Sequence, residues 1–296
     1  MMKIIDQLNI KIDEKLFLKP EYKIDRFISG NKYRKLKYNL IEAKKLNHNT
    51  LLTFGGAYSN HLAAVAYAGQ EYGFKTIGIV RGAELKDKYR DNTTLNFARE
   101  NGMVFDFISR ESYREKSTKN FLKSLKKKYG FFYLLPEGGT NELAVKGCEE
   151  ILTFEDKQFD YVCVSVGTGE TISGIINSSL PNQKILGFPA LKGDFLKKDI
   201  SKFANKSNWE LITDYHFGGY AKINQELIGF INEFKKKLDI PLDPIYTGKM
   251  FYGIKELLRN NYFKNNSKIL AIHTGGLQGI SGMNDYLKKK QMPLIT

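Results

Sequence analysis

The sequence predicts an α/β protein of two open, twisted domains whose sheets are mainly parallel. Three observations carry that expectation. Short runs of near-continuous Val, Ile and Leu, rather than strict alternation, mark strands covered on both faces. From about residue 50 onward these runs alternate with amphipathic stretches of helical length, as parallel sheets with right-handed crossovers require. The series divides near residues 140–155 with no repeat, low-complexity tract or long linker, which places a cleft between two units sharing one interface.

The expected strands lie at 51–54, 76–80, 104–108, 131–135, 161–166, 184–188 and 269–272. The expected helices lie at 60–71, 93–100, 117–128, 143–154, 225–238 and 251–260. A chain of 296 residues, 42% of them hydrophobic, is long enough to bury a large core. Its mean hydropathy is −0.38, and no stretch approaches about 18 uninterrupted apolar residues, so no membrane span is expected. The N-terminal residues Met1–Gln7 lack the apolar segment of a secretory signal. Cys148 and Cys163 are not spaced as metal ligands and are expected to be reduced thiols in a cytoplasm.

The net charge of +14 raises a nucleic-acid reading. Its distribution argues against one. The excess lies in lysine runs at 126–128, 235–237 and 288–290, near expected helix ends, where lysine complements the helix dipole. Neither zinc-finger spacing nor an arginine-rich arm accompanies them.

Four glycine-rich turns carry the candidate chemistry. Residues 29–35 read Ser-Gly-Asn-Lys-Tyr-Arg-Lys and place Lys32 at the expected start of an apolar helix. A solvated ammonium is a poor nucleophile, and most lysines in such a run are surface groups. If Arg34 and Lys35 lie close in space, they disfavour the charged form of Lys32, and the free amine can condense with an aldehyde. Residues 55–61 read Gly-Gly-Ala-Tyr-Ser-Asn-His and lead from a strand into a helix. Ser59 or Asn60 can cap that helix, and its exposed amides suit a carboxylate; a tight turn with a capping serine explains most of the segment equally well. Residues 166–174 read Val-Gly-Thr-Gly-Glu-Thr-Ile-Ser-Gly. Small residues with hydroxyls at Thr168, Thr171 and Ser173 suit one phosphate monoester, although a plain strand–helix turn remains open. Ile172 replaces the third glycine of a dinucleotide fingerprint, and no Gly-Lys-Ser/Thr follows. The fourth element joins residues 242–250, Leu-Asp-Pro-Ile-Tyr-Thr-Gly-Lys-Met, to residues 273–279, His-Thr-Gly-Gly-Leu-Gln-Gly. A lone Tyr246 or His273 is more often a hydrogen-bonded core residue.

A reactive lysine, an anion-binding Ser-Asn turn and a one-phosphate cradle together describe a pyridoxal phosphate site. The segments GNKYRKLKY, GGAYSNH, VGTGETISG, LDPIYTGKM and HTGG resemble the D-cysteine desulfhydrase and 1-aminocyclopropane-1-carboxylate deaminase family. The resemblance runs in order from Lys32 to Gly282, and the combination of GNKxRK, SNH and DPxYxGK is specific to it. It implies fold type II, tryptophan-synthase-β-like, with pyridoxal 5'-phosphate in the cleft. Residues 1–36 with 150–296 are expected to form the larger, cofactor-binding domain, with 37–149 inserted as the smaller one. It further implies that Lys32 forms the Schiff base with the cofactor and serves as base and acid at the substrate Cα. Asn60 is expected on the cofactor's phenolic oxygen, Ser59 on the substrate carboxylate, and Gly167, Thr168, Gly169 and Thr171 on the phosphate. Tyr220 and Tyr246 match tyrosines of the substrate pocket.

Thr247 falls where the resemblance places the partner of the pyridine nitrogen. A carboxylate there would keep that nitrogen protonated, as ring-opening deaminases need; a neutral hydroxyl suits β-elimination. The expected activity is therefore elimination from a small amino acid, giving a keto acid, ammonia and, from cysteine, sulfide. The alternatives are cyclopropane ring opening to 2-oxobutanoate and a catalytically silent cofactor-binding protein. A homodimer is implied; neither a metal, a nucleic acid nor a membrane is. Two departures stand out: Ala57 and Tyr58 where a polar side chain is common, and Glu170 in the phosphate turn, expected to point outward.

Overall fold

The computed structural model of the chain describes residues 8–193 and 195–296; the N-terminal segment read for a signal lies outside them. The elements of the first half are β1 (Ile10–Lys11), β2 (Leu16–Lys19), α1 (Asn31–Lys45), β3 (Thr50–Gly55), α2 (Asn60–Tyr72), β4 (Lys75–Arg81), α3 (Thr93–Glu100), β5 (Met103–Ile108), α4 (Arg110–Arg114), α5 (Lys119–Tyr129), β6 (Tyr133–Leu135) and α6 (Glu142–Cys148). The second half adds β7 (Tyr161–Val166), α7 (Glu170–Ser178), β8 (Lys184–Pro189), α8 (Phe195–Ser201), β9 (Trp209–Leu211), α9 (Gln225–Leu238), α10 (Thr247–Arg259), β10 (Ile269–Ile272) and α11 (Gly279–Lys289).

They form two sheets. The smaller has the order β5-β4-β3-β6 and every pairing in it is parallel. The larger has the order β1-β2-β10-β7-β8-β9 and is parallel except for the edge pair β1–β2. The expected α/β class with mainly parallel sheets is what the chain adopts.

Alternating side chains explain why the strands read as unbroken apolar runs. In β7, Tyr161 and Cys163 pack with Leu227, Ile231, Phe251 and Ile254 of α9 and α10 on one face. Val162, Val164 and Val166 pack with Ile172 and Ile175 of α7 and Ile200 of α8 on the other. In β3, Leu51 faces α1, α2 and α3, whereas Leu52 and Phe54 face Tyr113 of α4 and Leu125 of α5. Each such side chain contributes about 1.5–3 kcal/mol when fully buried.

Helix ends follow their capping chemistry. Ser59 caps α2 by accepting from the Leu62 N–H at 3.2 Å, and Asn224 caps α9 through the Leu227 N–H at 2.9 Å. The lysine runs close α5, α9 and α11, in the last turns where cations meet the carbonyl ends.

Several bounds differ from expectation. α10 begins four residues before 251, because Asp243 supplies its first amides with acceptors and lets the helix start at Thr247. The helix expected at 143–154 ends at Cys148, and a 3-10 turn, Phe154–Gln158, follows. β1, β2 and β9 span two to four residues, too short for a periodicity signal.

Candidate active site

The loops at the carboxyl ends of β3, β4, β6, β7 and β10 converge on a cavity of about 830 Å³ between the two sheets. That is where open α/β sheets place their ligands. Lys32, Ser59, Asn60, Gly167, Thr168, Gly169, Thr171, Tyr220 and Tyr246 all line it. Segments more than 200 residues apart in sequence are thereby brought to one site.

Lys32 is the second residue of α1. Gly30 precedes it at φ +63°, and a Cβ there would lie 2.0 Å from the Thr274 carbonyl oxygen. Only glycine permits that approach, through which the Asn31 N–H donates to Thr274 at the end of β10 (3.2 Å). The Lys32 amine donates to Asn31 Oδ1 at 3.2 Å, and Asn31 Nδ2 donates to Thr171 Oγ1 at 2.8 Å, so one amide links the lysine to the phosphate turn. Burial lowers the Lys32 amine from 10.5 to about 7, and the Lys35 charge adds to it. Arg34, expected to contribute, does not. It stands two residues on, across the helix, in a bidentate ion pair with buried Glu21 at 2.8 and 2.9 Å.

The turn 167–171 leads from β7 into α7, with Gly169 at φ +104° as the residue before the helix. Gly167, Thr168, Gly169 and Thr171 of this turn line the cavity, and amides and hydroxyls at a helix start suit a phosphate. Glu170 corrects the expectation that it points outward: its side chain is fully buried. Its Oε2 accepts from Lys35 Nζ at 2.7 Å and from Thr168 Oγ1 at 2.6 Å. Burial would raise this carboxyl, but the Lys35 charge and the hydrogen bonds from Lys35 and Thr168 outweigh it and hold it near about 2. A buried carboxylate is tolerable only with such partners, and Lys35 supplies the charge from one turn past Lys32.

Across the cavity, Asn60 and Ser59 begin α2 with their side chains on the lining. Asn60 Oδ1 is buried without a hydrogen-bond partner, a polar group left for a ligand. His61 is buried behind them, with Nε2 2.9 Å from Thr53 Oγ1; burial, then the charges of Lys32 and Lys35, lower it to about 3 and keep it neutral. Tyr220 and Tyr246 stand 6.3 Å apart between ring centres. Burial raises both phenols, so they stay protonated near neutral pH. Lys249 of the same motif donates to the carbonyls of His216 and Gly219 at 2.9 and 2.8 Å and so holds the loop carrying Tyr220.

Thr247 lies behind the wall formed by Ile245 and Tyr246. Its hydroxyl accepts from the Asp243 N–H at 2.9 Å and donates to Asp243 Oδ2 at 2.7 Å. Asp243 Oδ1 takes the N–H groups of Ile245 and Tyr246, and Oδ2 also takes that of Thr247. His273 is a core residue, its Nε2 2.7 Å from the Pro241 carbonyl. Sequence reasoning left Asn31, Asp243, Ser165 and Thr274 without roles. Asn31, Asp243 and Thr274 sit inside the motif segments and were legible by position; Ser165, whose hydroxyl lies 3.2 Å from that of Thr274 on the lining, had no signal.

A buried amine near 7, an unpartnered amide opposite it and a glycine-threonine cradle linked to the amine through Asn31 fit pyridoxal 5'-phosphate. Comparison with known proteins agrees. Residues 4–275 match the family described as pyridoxal-phosphate dependent enzyme. A putative 1-aminocyclopropane-1-carboxylate deaminase of Pyrococcus horikoshii is 32% identical over 279 residues, covering 88% of this chain and 84% of that protein. The mitochondrial bifunctional D-cysteine desulfhydrase/1-aminocyclopropane-1-carboxylate deaminase of Arabidopsis thaliana is 30% identical over 280 residues, covering 86% and 70%. The crystal structure of an ACC deaminase homologue superposes with a TM-score of 0.80 at 28% identity, covering 93% of this chain and 88% of that one. The chain belongs to the pyridoxal-phosphate dependent enzymes of fold type II.

Proposed function

We propose that the chain is a lyase that removes a β-substituent from a small amino acid, most simply sulfide from D-cysteine, leaving a keto acid and ammonia. The observation that carries this reading over ring opening is the turn at 242–247. Thr247 is neutral, and the carboxylate of Asp243 is spent on four hydrogen bonds from that turn. Neither offers a free carboxylate to a ring nitrogen. Relatives bearing the deaminase name, including the bifunctional plant protein, support cyclopropane ring opening as the second reading.

The bound cofactor supplies an aldehyde for the substrate amine and an electron-withdrawing ring that acidifies Cα. Around it Gly167, Thr168, Gly169 and Thr171 hold the phosphate, and Asn60 orients the ring through its phenolic oxygen. Ser59 and the neighbouring amides bind the substrate carboxylate. Lys32, with its amine near 7, takes the Cα proton at neutral pH. The β-substituent departs with its bonding pair, and water then converts the unsaturated amine to keto acid and ammonia. Tyr220 and Tyr246, both protonated on the cavity lining, would serve as proton donors to the leaving group.

Two domains, 1–36 with 150–296 and 37–149, are part of this reading, and the separation of the strands into two sheets supports them, with α1 crossing the first boundary. Two buried free thiols support a reducing, cytoplasmic setting, and a homodimer follows from the family resemblance. No described helix is long and apolar enough to cross a membrane, and the lysine runs serve helix ends. Screening D- and L-amino acids and the cyclopropane substrate for keto-acid product tests the assignment. Sulfide from D-cysteine is expected; 2-oxobutanoate as the dominant product reverses the order of the two readings. Thr247→Glu should shift the cofactor's absorbance toward that of a protonated ring, and an unchanged spectrum refutes the role given to Thr247.

A further inference from the structure

Glu170 places a buried carboxylate directly behind the turn that lines the phosphate cradle, and charge counting makes that consequential. Its Oε2 holds the Lys35 ammonium at 2.7 Å and the Thr168 hydroxyl at 2.6 Å. Both are groups a phosphate would use. Glu170 is wholly buried and Lys35 is 3% exposed, so solvent does not screen the pair. Glu170 is also the first residue of α7, where its charge satisfies the positive end of the helix. A phosphate monoester brings a charge of about −1.5 to −2 at neutral pH. The other lysine on this wall, Lys32, is committed to the aldehyde rather than to the phosphate.

We propose that Glu170 is an internal counter-anion that competes with the cofactor phosphate for Lys35 and Thr168, giving this chain a weak, exchangeable hold on its cofactor. The inference rests on the cofactor reading above and concerns affinity rather than chemistry. Lys35 acts as the shared cation, donating also to the Gly138 carbonyl at 3.2 Å, and Thr168 must redirect its hydroxyl proton from Glu170 to the phosphate. A neutral residue at 170 frees both groups and leaves the helix end to the phosphate alone.

The test compares cofactor-stripped wild type and Glu170→Gln by absorbance titration with pyridoxal 5'-phosphate and, separately, with pyridoxal, which lacks the phosphate. Glu170→Gln is expected to bind pyridoxal 5'-phosphate at least tenfold more tightly, with pyridoxal affinity unchanged. Equal or weaker binding of the phosphate form overturns the proposal, and so does equal tightening for both ligands. Glu170→Gly removes the same charge without requiring an amide to fit, and must give the same order should the glutamine variant misfold. Wild type that takes up neither ligand at Lys32 defeats the cofactor reading itself; uptake with no response at position 170 defeats this inference alone.

Discussion

Replacing Lys32 by methionine should stabilise the cofactor-stripped protein, by an amount that depends on pH in a way no packing effect reproduces. The folded chain holds the Lys32 amine near 7, against 10.5 for an ordinary lysine, chiefly through burial and secondarily through Lys35. Between those values the unfolded chain binds more protons than the folded one, so the stability of the wild type rises with pH across the window. Below about pH 7 the penalty is at its maximum, and it vanishes above pH 10.5. At about 1.4 kcal/mol per pH unit the ceiling is about 5 kcal/mol; water in the cavity reduces this to about 2–4 kcal/mol. Lys32→Met removes the ammonium and keeps the bulk. Urea unfolding of both proteins at pH 6, 7, 8, 9 and 10 yields the difference directly, and the buried tyrosines and cysteines cancel between them. The variant should be more stable at pH 6 and 7, with the gain shrinking steadily toward pH 10. A difference that stays flat with pH, or a variant less stable throughout, refutes the claim that position 32 carries a desolvated amine.

Two further outcomes follow from buried geometry. Arg34→Met leaves the carboxylate of Glu21, 1% exposed, without its counter-charge and should cost about 3–5 kcal/mol in urea unfolding. The double variant with Glu21→Gln should recover much of that loss. Gly30→Ala asks a Cβ to occupy space 2.0 Å from the Thr274 carbonyl at φ +63°, so it should cost at least about 1–3 kcal/mol. Because the strain sits two residues before Lys32, thermal unfolding should fall and borohydride-trapped cofactor at Lys32 should fall with it.

Much of this was legible in the residues, for identifiable reasons. The nearly continuous apolar run of Tyr161–Val166 fits a strand covered on both faces, and the hydroxyl-bearing turn 167–171 follows it directly. The helices at Thr93–Glu100 and Gln225–Leu238 carried Asn92 and Asn224 as caps, and their limits were readable to the residue. The start of α10 was not, because a proline precedes it and its cap is an aspartate four residues upstream, bonded through both oxygens. The orientation of Glu170 is not legible in the sequence for a different reason. Its position in the turn argued for repulsion by a phosphate, whereas its partner, Lys35, lies 135 residues away in sequence and meets it only once the sheets are assembled. Arg34 and Lys35 are neighbours in the chain but leave α1 in different directions, one to Glu21 and the other to Glu170.

The helix that carries Lys32 answers to both halves of the molecule. Tyr33, Leu36, Leu40 and Ala43 anchor α1 in the core beneath the smaller sheet, while its first amide is tied to the strand end of the larger one. A swing of one lobe against the other would therefore pull the amine away from Thr171 or break the tie at Thr274. Sealing the crevice and aiming the amine are, for this architecture, a single movement, and a mutation that loosens the seam should dull the reaction before it melts the protein.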